Sequence, residues 1–163
     1  MKPSLDHVLV ATDFSASASA AIDYAATLAS RAGARLHLVH VLEEPFVTPG
    51  PYEWHMPDTP ARREGRYQQA LARLSKDAVA VGDALTPTVE VRGGEVTRSI
   101  AQAAIDYGAD VIVLGTRGHA GLRHLFGGGT AERLQRLVGR PIMTVRDADD
   151  RRDWPAHAHR GAA

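Results

Sequence analysis

Short apolar runs that do not alternate with polar residues recur along this sequence, and a helical pattern follows each of them. The clearest run is Val111 to Gly115 (VIVLG), four consecutive apolar residues closed by a glycine. His7 to Thr12 (HVLVAT) has the same character. Runs of this kind are typical of strands buried on both faces of a parallel sheet, and parallel neighbours need a helical crossover between them. The sequence therefore predicts an α/β fold with helices on both faces of the sheet.

Hydrophobic periodicity predicts the other elements. Three further strands are expected at 35–42, 88–92 and 142–146, with amphipathic helices between the strands and Ser15 and Thr130 as N-caps. The residues predicted to face inward are Ala18, Ile22, Ala25 and Ala29, then Tyr67, Leu71, Leu74, Ala78 and Val81, then Val96, Ile100, Ala103, Ala104 and Tyr107, and finally Ala131, Leu134 and Val138.

Length and composition favour one globular domain. The chain has 163 residues, of which 44% are hydrophobic and 23% charged, and two domains of half this size would each have a poor core. We expect the domain to span 1–147, with a loop of five prolines at 43–60 and a disordered tail at 148–163.

Charge and cysteine content exclude several classes of partner. Nineteen basic residues balance nineteen acidic ones, so neither nucleic acid nor an anionic membrane is expected as a partner. No run approaches the length of a membrane-spanning helix, and the amino terminus lacks a signal-peptide pattern. With no cysteine in the chain, these features favour the cytoplasm.

A glycine-rich segment, Gly115 to Gly129, joins the fourth predicted strand to the fourth helix. Six of its fifteen residues are glycine. Glycines allow successive N–H groups to converge on one point, and a helix N-terminus adds unpaired donors and partial positive charge. The segment therefore predicts a phosphate-binding loop, while a plain surface loop is the alternative.

The spacing Gly115, two residues, Gly118, nine residues, Gly128 resembles the glycine motif of the universal stress protein family. Three further segments resemble that family. They are Ala11 to Ser15 at the end of the first strand, His40 to Leu42 at the end of the second, and Ala131 to Arg133 at the start of the last helix.

The resemblance implies a three-layer α/β sandwich of the adenine nucleotide alpha hydrolase-like type, with a five-stranded parallel sheet in the order 3-2-1-4-5. It also implies a homodimer formed through the last strand, Ile142 to Arg146, and an unknown protein partner in a stress response. One branch of the family binds ATP or AMP, and another does not.

By position, the resemblance implies a set of nucleotide-binding residues. Asp13 would lie by the ribose and adenine, Thr12 would line the same cleft, and Val41 would meet the adenine through its main chain. The full set is Ala11, Thr12, Asp13, Val41, Gly115, Thr116, Arg117, Gly118, Gly128, Gly129 and Thr130. The ligand would be ATP, ADP or AMP, and magnesium would arrive with the phosphates.

Two of these residues have other interpretations. Gly129 stands where the family has a serine or threonine, so a side-chain donor to phosphate is missing, at a cost of about 1.5 to 3 kcal/mol. Asp13 alone is typical of a helix cap or turn. A dimer that acts through protein contacts without nucleotide is therefore the alternative function.

An enzyme is not favoured. The chain lacks the phosphate-loop, nucleophile-elbow and dinucleotide motifs, so slow ATP hydrolysis is the most that we expect, and no catalytic residue is predicted. A metal site is not predicted either, because His37 and His40 are an odd number of residues apart and would point to opposite faces of a strand.

Overall fold

The computed structural model describes residues 4–43, 59–82, 84–115 and 130–146. Strands and helices alternate along these residues. In chain order they are β1 (His7–Ala11), α1 (Ala16–Ala32), β2 (Arg35–Leu42), α2 (Pro60–Val81), β3 (Thr88–Gly93), α3 (Val96–Tyr107), β4 (Val111–Gly115), α4 (Thr130–Val138) and β5 (Ile142–Val145). Each predicted strand agrees with the observed one to within a residue at either end.

The strands form one parallel sheet in the order β3-β2-β1-β4-β5, which confirms the predicted fold class. Strand β1 lies at the centre, where Val10 pairs with Leu38 on β2 and with Val113 on β4. The order reverses direction beside β1, so the crevice at the carboxyl ends of the central strands is the expected ligand site of such a sheet.

Alternate residues of the central strands feed two separate cores. Val8 and Val10 pack with α1 and α2 on one face, whereas Leu9 and Ala11 pack with α3 and α4 on the other. The β1 and β4 strands lack polar alternation because both of their faces are covered. No described helix is long and apolar enough to cross a membrane.

The N-cap of α1 is Ser15, as predicted. The Ser15 hydroxyl accepts a hydrogen bond from the Ala18 N–H, and Gly33 ends the helix in the left-handed conformation at φ 67°. The helix α3 begins with a cap that the sequence analysis missed, because the Glu95 carboxylate accepts hydrogen bonds from the Thr97 and Arg98 N–H groups.

Two predictions about α2 are wrong in detail. Pro60, assigned to the loop 43–60, is the first residue of the helix, where its missing N–H costs no hydrogen bond and Thr59 serves as N-cap. Tyr67, assigned to the inward face, is 38% exposed, and Ala70 is buried instead. Residues 44–58 of the loop and the predicted tail 148–163 lie outside the described residues.

Candidate ligand-binding cleft

A cleft of about 210 Å³ lies at the carboxyl ends of β1 and β2, next to the first turns of α3. Its apolar part comes from Val39, Val96 and Ile100, which are buried. Its polar part comes from the turn that follows β1, from His40 and Glu43 at the end of β2, and from Arg66 on α2. An apolar floor with a few polar groups at the rim is the usual composition of a small-molecule site.

The main chain of β2 extends beyond the end of β1. The last bond of this ladder runs from the Thr12 N–H to the Val39 carbonyl, at 2.9 Å. Alternate residues of a strand direct their N–H and C=O groups to the same edge, so Val41 points to the same edge as Val39. The main-chain groups of the turn that would continue this ladder make other hydrogen bonds. The Phe14 N–H donates to Thr12 Oγ1 at 3.0 Å, and the Thr12 carbonyl lies 2.8 Å from His40 Nδ1. The Val41 main chain is therefore directed into the cleft.

The turn after β1 is held by its own side chains. Asp13 Oδ1 accepts a hydrogen bond from the Ser15 N–H at 3.0 Å, which is an Asx turn. Thr12 is almost fully buried, at 3% exposure, while Asp13 is half-buried on the cleft wall. Asp13 therefore supports the turn and lines the cleft, so the two interpretations of this residue are compatible.

His40 fixes the same turn from β2. Because a carbonyl oxygen only accepts, Nδ1 must carry the proton in the contact with Thr12. Burial lowers the pKa of His40 below its usual value, and the neighbouring Arg73 acts in the same direction, while the bond to Thr12 and the charge of Asp13 oppose the shift. The neutral form of the ring therefore predominates at pH 7.

The structure brings four of the predicted site residues together, since Ala11, Thr12, Asp13 and Val41 all line this cleft. Gly115 ends β4 and directly follows Leu114, which pairs with Ala11. Gly115 therefore lies on the strand beside the turn.

Of the remaining predicted site residues, the structure describes only Thr130. Thr116, Arg117, Gly118, Gly128 and Gly129 lie outside the described residues. Thr130 is the first residue of α4, so it lies inside the helix and not before it as its cap.

Sequence reasoning missed several residues of the cleft. Arg66 reaches it from α2, more than twenty residues beyond β2, and no local pattern signals that approach. Val96 and Ile100 were predicted as core residues of α3, and the structure shows that the core extends to the cleft floor. His40 had a signal, because it directly precedes Val41 at the carboxyl end of a predicted strand.

His37 and His40 point to opposite faces of β2, as predicted. His37 contacts Thr88 and Glu90 of β3, whereas His40 contacts the turn after β1. Among the described residues there is no group of three or more histidine, aspartate or glutamate side chains that could hold a metal ion.

A parallel sheet of this order, with a cleft at the carboxyl ends of its central strands, defines a doubly wound α/β fold with a candidate ligand site. The sequence model of the universal stress protein family matches residues 4–146. The chain belongs to the universal stress protein family.

Two curated relatives share this assignment. A universal stress protein of Mycolicibacterium smegmatis is 29% identical over 145 residues, which cover 87% of this chain and 48% of that protein. The chain thus spans about half the length of this relative. Universal stress protein MJ0531 of Methanocaldococcus jannaschii is 28% identical over 141 residues, which cover 85% of this chain and 81% of that protein.

Solved structures show the same fold. A universal stress family protein from Burkholderia pseudomallei has 30% identity and a TM-score of 0.57, with 89% of this chain and 98% of that chain covered. A universal stress protein in complex with cAMP has 18% identity and a TM-score of 0.62, with 90% and 100% covered.

Proposed function

We propose that this protein binds an adenine nucleotide in the cleft between β1, β2 and α3, and acts as a dimeric, cytoplasmic regulator in a stress response. The observation that carries the proposal is the meeting of three features in one cleft. These are the main chain of Val41 directed into it, the carboxylate of Asp13 on its wall, and the apolar floor.

The floor and the Val41 main chain suit a purine base. Val96, Ile100 and Val41 line the same cleft, so a flat base would contact Val96 and Ile100 with its face and would reach the Val41 main chain with its edge. The adenine edge carries an amino donor beside a ring-nitrogen acceptor. The C=O and N–H of Val41 lie on the same edge of β2 and match that pair. The C=O can accept from the adenine amino group, and the N–H can donate to the ring nitrogen.

Asp13 suits the sugar. Ribose hydroxyls are donors, and a carboxylate has about four acceptor positions, so the Asp13 carboxylate that accepts from the Ser15 N–H can also accept from a sugar hydroxyl. The cleft volume of about 210 Å³ is below the roughly 300 Å³ at which pockets for whole drug-sized ligands begin. We therefore assign the base and sugar to the cleft. The phosphates are assigned to the predicted loop residues Gly115, Thr116, Arg117, Gly118, Gly128, Gly129 and Thr130, with any magnesium bound by the phosphates.

The solved universal stress protein that holds cAMP supports an adenine nucleotide as the ligand class. ATP, ADP and AMP share the base and sugar that the cleft would hold. The number of phosphates depends on the glycine-rich segment, where Gly129 offers only its N–H.

The test is equilibrium binding of labelled ATP and AMP, together with mass spectrometry of small molecules released from the freshly purified protein. Asp13→Asn keeps the oxygen that accepts from Ser15 but removes the charge. We expect a loss of roughly tenfold in affinity, the size of one charged hydrogen bond. Asp23→Asn, on the exposed side of α1, is the matched control and should bind as the wild type does.

No binding at millimolar nucleotide, with no nucleotide released from the purified protein, would contradict the proposal. A dimer that acts through protein contacts alone would then be the better interpretation. A melting temperature that ATP leaves unchanged would agree with that alternative, since a ligand that binds only the folded state must raise it.

A further inference from the structure

Phe14 has a left-handed main chain that its side chain does not favour. Its φ is 64°, in the region where a Cβ crowds the neighbouring carbonyl and where glycine is the usual residue. A bulky residue keeps such a conformation only where the surroundings hold it. Phe14 lies next to Asp13, so whatever holds Phe14 also fixes the approach of Asp13 to the cleft.

The Phe14 ring has a partner on β2 and another on α2. The His40 ring lies with its centroid 4.3 Å away, at an interplanar angle of 33°. The Arg73 guanidinium lies 4.5 Å from the ring centroid, a distance at which a cation is attracted to the ring face. The turn is thus attached to two elements that are distant from it in the chain.

The same two partners also bond the main chain of the turn. Arg73 Nη2 donates to the Phe14 carbonyl at 3.2 Å, and His40 Nδ1 donates to the Thr12 carbonyl at 2.8 Å. Each partner therefore makes one ring contact and one main-chain hydrogen bond. Asp13 lies between the two carbonyls that are held in this way.

We propose that Phe14, His40 and Arg73 form a clamp that positions the Asp13 carboxylate for nucleotide binding. The inference rests on the proposed function, because it assigns positioning residues to that site. The clamp keeps the turn in its left-handed form before the ligand arrives, so the ligand does not bear the entropy cost of ordering Asp13.

Phe14→Gly and Arg73→Gln open the clamp in different ways. Glycine adopts the same φ without strain but removes the ring, while glutamine removes the cation and the planar fork. We expect either change to weaken ATP binding by roughly three- to tenfold, the effect of losing one ordered side chain. Phe14→Tyr retains the ring and should bind ATP with the affinity of the wild type. Arg31→Gln, on an exposed arginine in the last turn of α1, is the control and should leave affinity unchanged.

Two measurements separate positioning from a general loss of structure. The first is a double-mutant cycle, in which Phe14→Gly should weaken ATP binding in the wild type but have little further effect in the Asp13→Ala background. The second is hydrogen exchange of the Ser15 amide without nucleotide. This amide donates to Asp13, and it should exchange faster in Phe14→Gly and Arg73→Gln while the melting temperature changes little.

The outcomes distinguish this inference from the proposed function. If the wild type binds no nucleotide, the proposed function fails and the positioning role fails with it. If the wild type binds but both clamp variants bind equally well, only the clamp is overturned. The clamp would also be overturned if the loss of ATP affinity in Phe14→Gly simply added to the loss in Asp13→Ala, since Phe14 would then act without Asp13.

Discussion

A Cβ added at Gly115 would lie 2.6 Å from the carbonyl oxygen of Ser17. The same Cβ would lie 2.6 Å from the Ser17 carbonyl carbon and 2.7 Å from the Ala18 nitrogen, so backbone atoms surround it. The first turn of α1 therefore packs directly on the end of β4. Packing alone therefore favours glycine at position 115, where the predicted phosphate loop begins, whether or not a ligand binds.

We predict that Gly115→Ala destabilises the protein by about 1 to 3 kcal/mol, because the methyl group forces α1 away from β4. Gly93→Ala is the matched control, since a Cβ there meets nothing within 4 Å and no positive φ is involved. It should stay within about 0.5 kcal/mol of the wild type. Urea denaturation of both variants measures the difference, and equal stabilities would show that α1 can shift without cost.

We predict that Ser15→Ala destabilises the protein by about 1 kcal/mol, the usual cost of losing an N-cap. The Ser15 hydroxyl accepts from the Ala18 N–H at 3.2 Å, and alanine leaves that donor unsatisfied in a buried place. Ser30→Ala, exposed near the other end of α1, is the control. Denaturation curves of the two alanine variants that coincide would contradict a capping role for Ser15.

The five strands and the helices α1 and α3 were predictable because their positions follow from patterns in the local sequence. The β1 and β4 strands are covered on both faces, and that leaves continuous apolar runs in the sequence. The faces of α1 and α3 follow a helical period since each packs on the middle of the sheet. Helix α2 packs near the margin, on β2 and β3, so its buried stripe is narrow, and the predicted face included the exposed Tyr67.

The cleft was predictable only in part. Asp13 and Val41 follow from the rule that ligands lie beyond the carboxyl ends of parallel strands. Arg66 and Arg73 approach from α2, and their distance from the turn after β1 depends on how the whole helix packs. The left-handed Phe14 had no signal either, because a phenylalanine in a sequence predicts an ordinary conformation.

His37 predicts how stability depends on pH. Burial lowers its pKa from the usual 6.5, the nearby Arg92 adds to this, and the charge and hydrogen bond of Glu90 oppose it. Its other close partners are the Thr88 hydroxyl and the stacked Tyr107 ring. The unfolded chain therefore takes up a proton at a higher pH than the folded protein does. The stability that depends on neutral His37 is fully present above about pH 7.5, and it is lost as the pH falls through 6.5 towards the lower pKa of the folded protein.

The measurement compares the free energy of unfolding of the wild type and His37→Gln between pH 7.5 and 5.5. Other titrating groups, including His40, whose pKa is lowered in the same way, contribute to both curves and cancel in the comparison. As the pH falls, the free energy of unfolding of the wild type should decrease relative to that of His37→Gln. Parallel curves would mean that His37 titrates alike in the folded and unfolded states.

The edge strand β5 predicts the dimer contact. Within the described residues it pairs only with β4, and an unpaired edge is a template for another strand. The Pro141 carbonyl accepts from Ile112 of β4, so the odd-numbered residues of β5 face β4 and Thr144 directs its N–H outward. Thr144→Pro removes that outward donor and leaves the β4 ladder intact, because proline is tolerated at a strand edge.

We expect the wild type to have twice the chain mass of 17.5 kDa in analytical ultracentrifugation, and Thr144→Pro to sediment as a monomer with unchanged circular dichroism. Thr144→Val keeps the N–H and serves as the control, so it should remain dimeric. A folded Thr144→Pro dimer would place the contact elsewhere, because two β5 strands cannot pair through a missing donor without shifting register. A monomeric wild type would remove the dimer from the proposed function and leave the nucleotide cleft, which one chain forms alone, to be judged by the binding experiments.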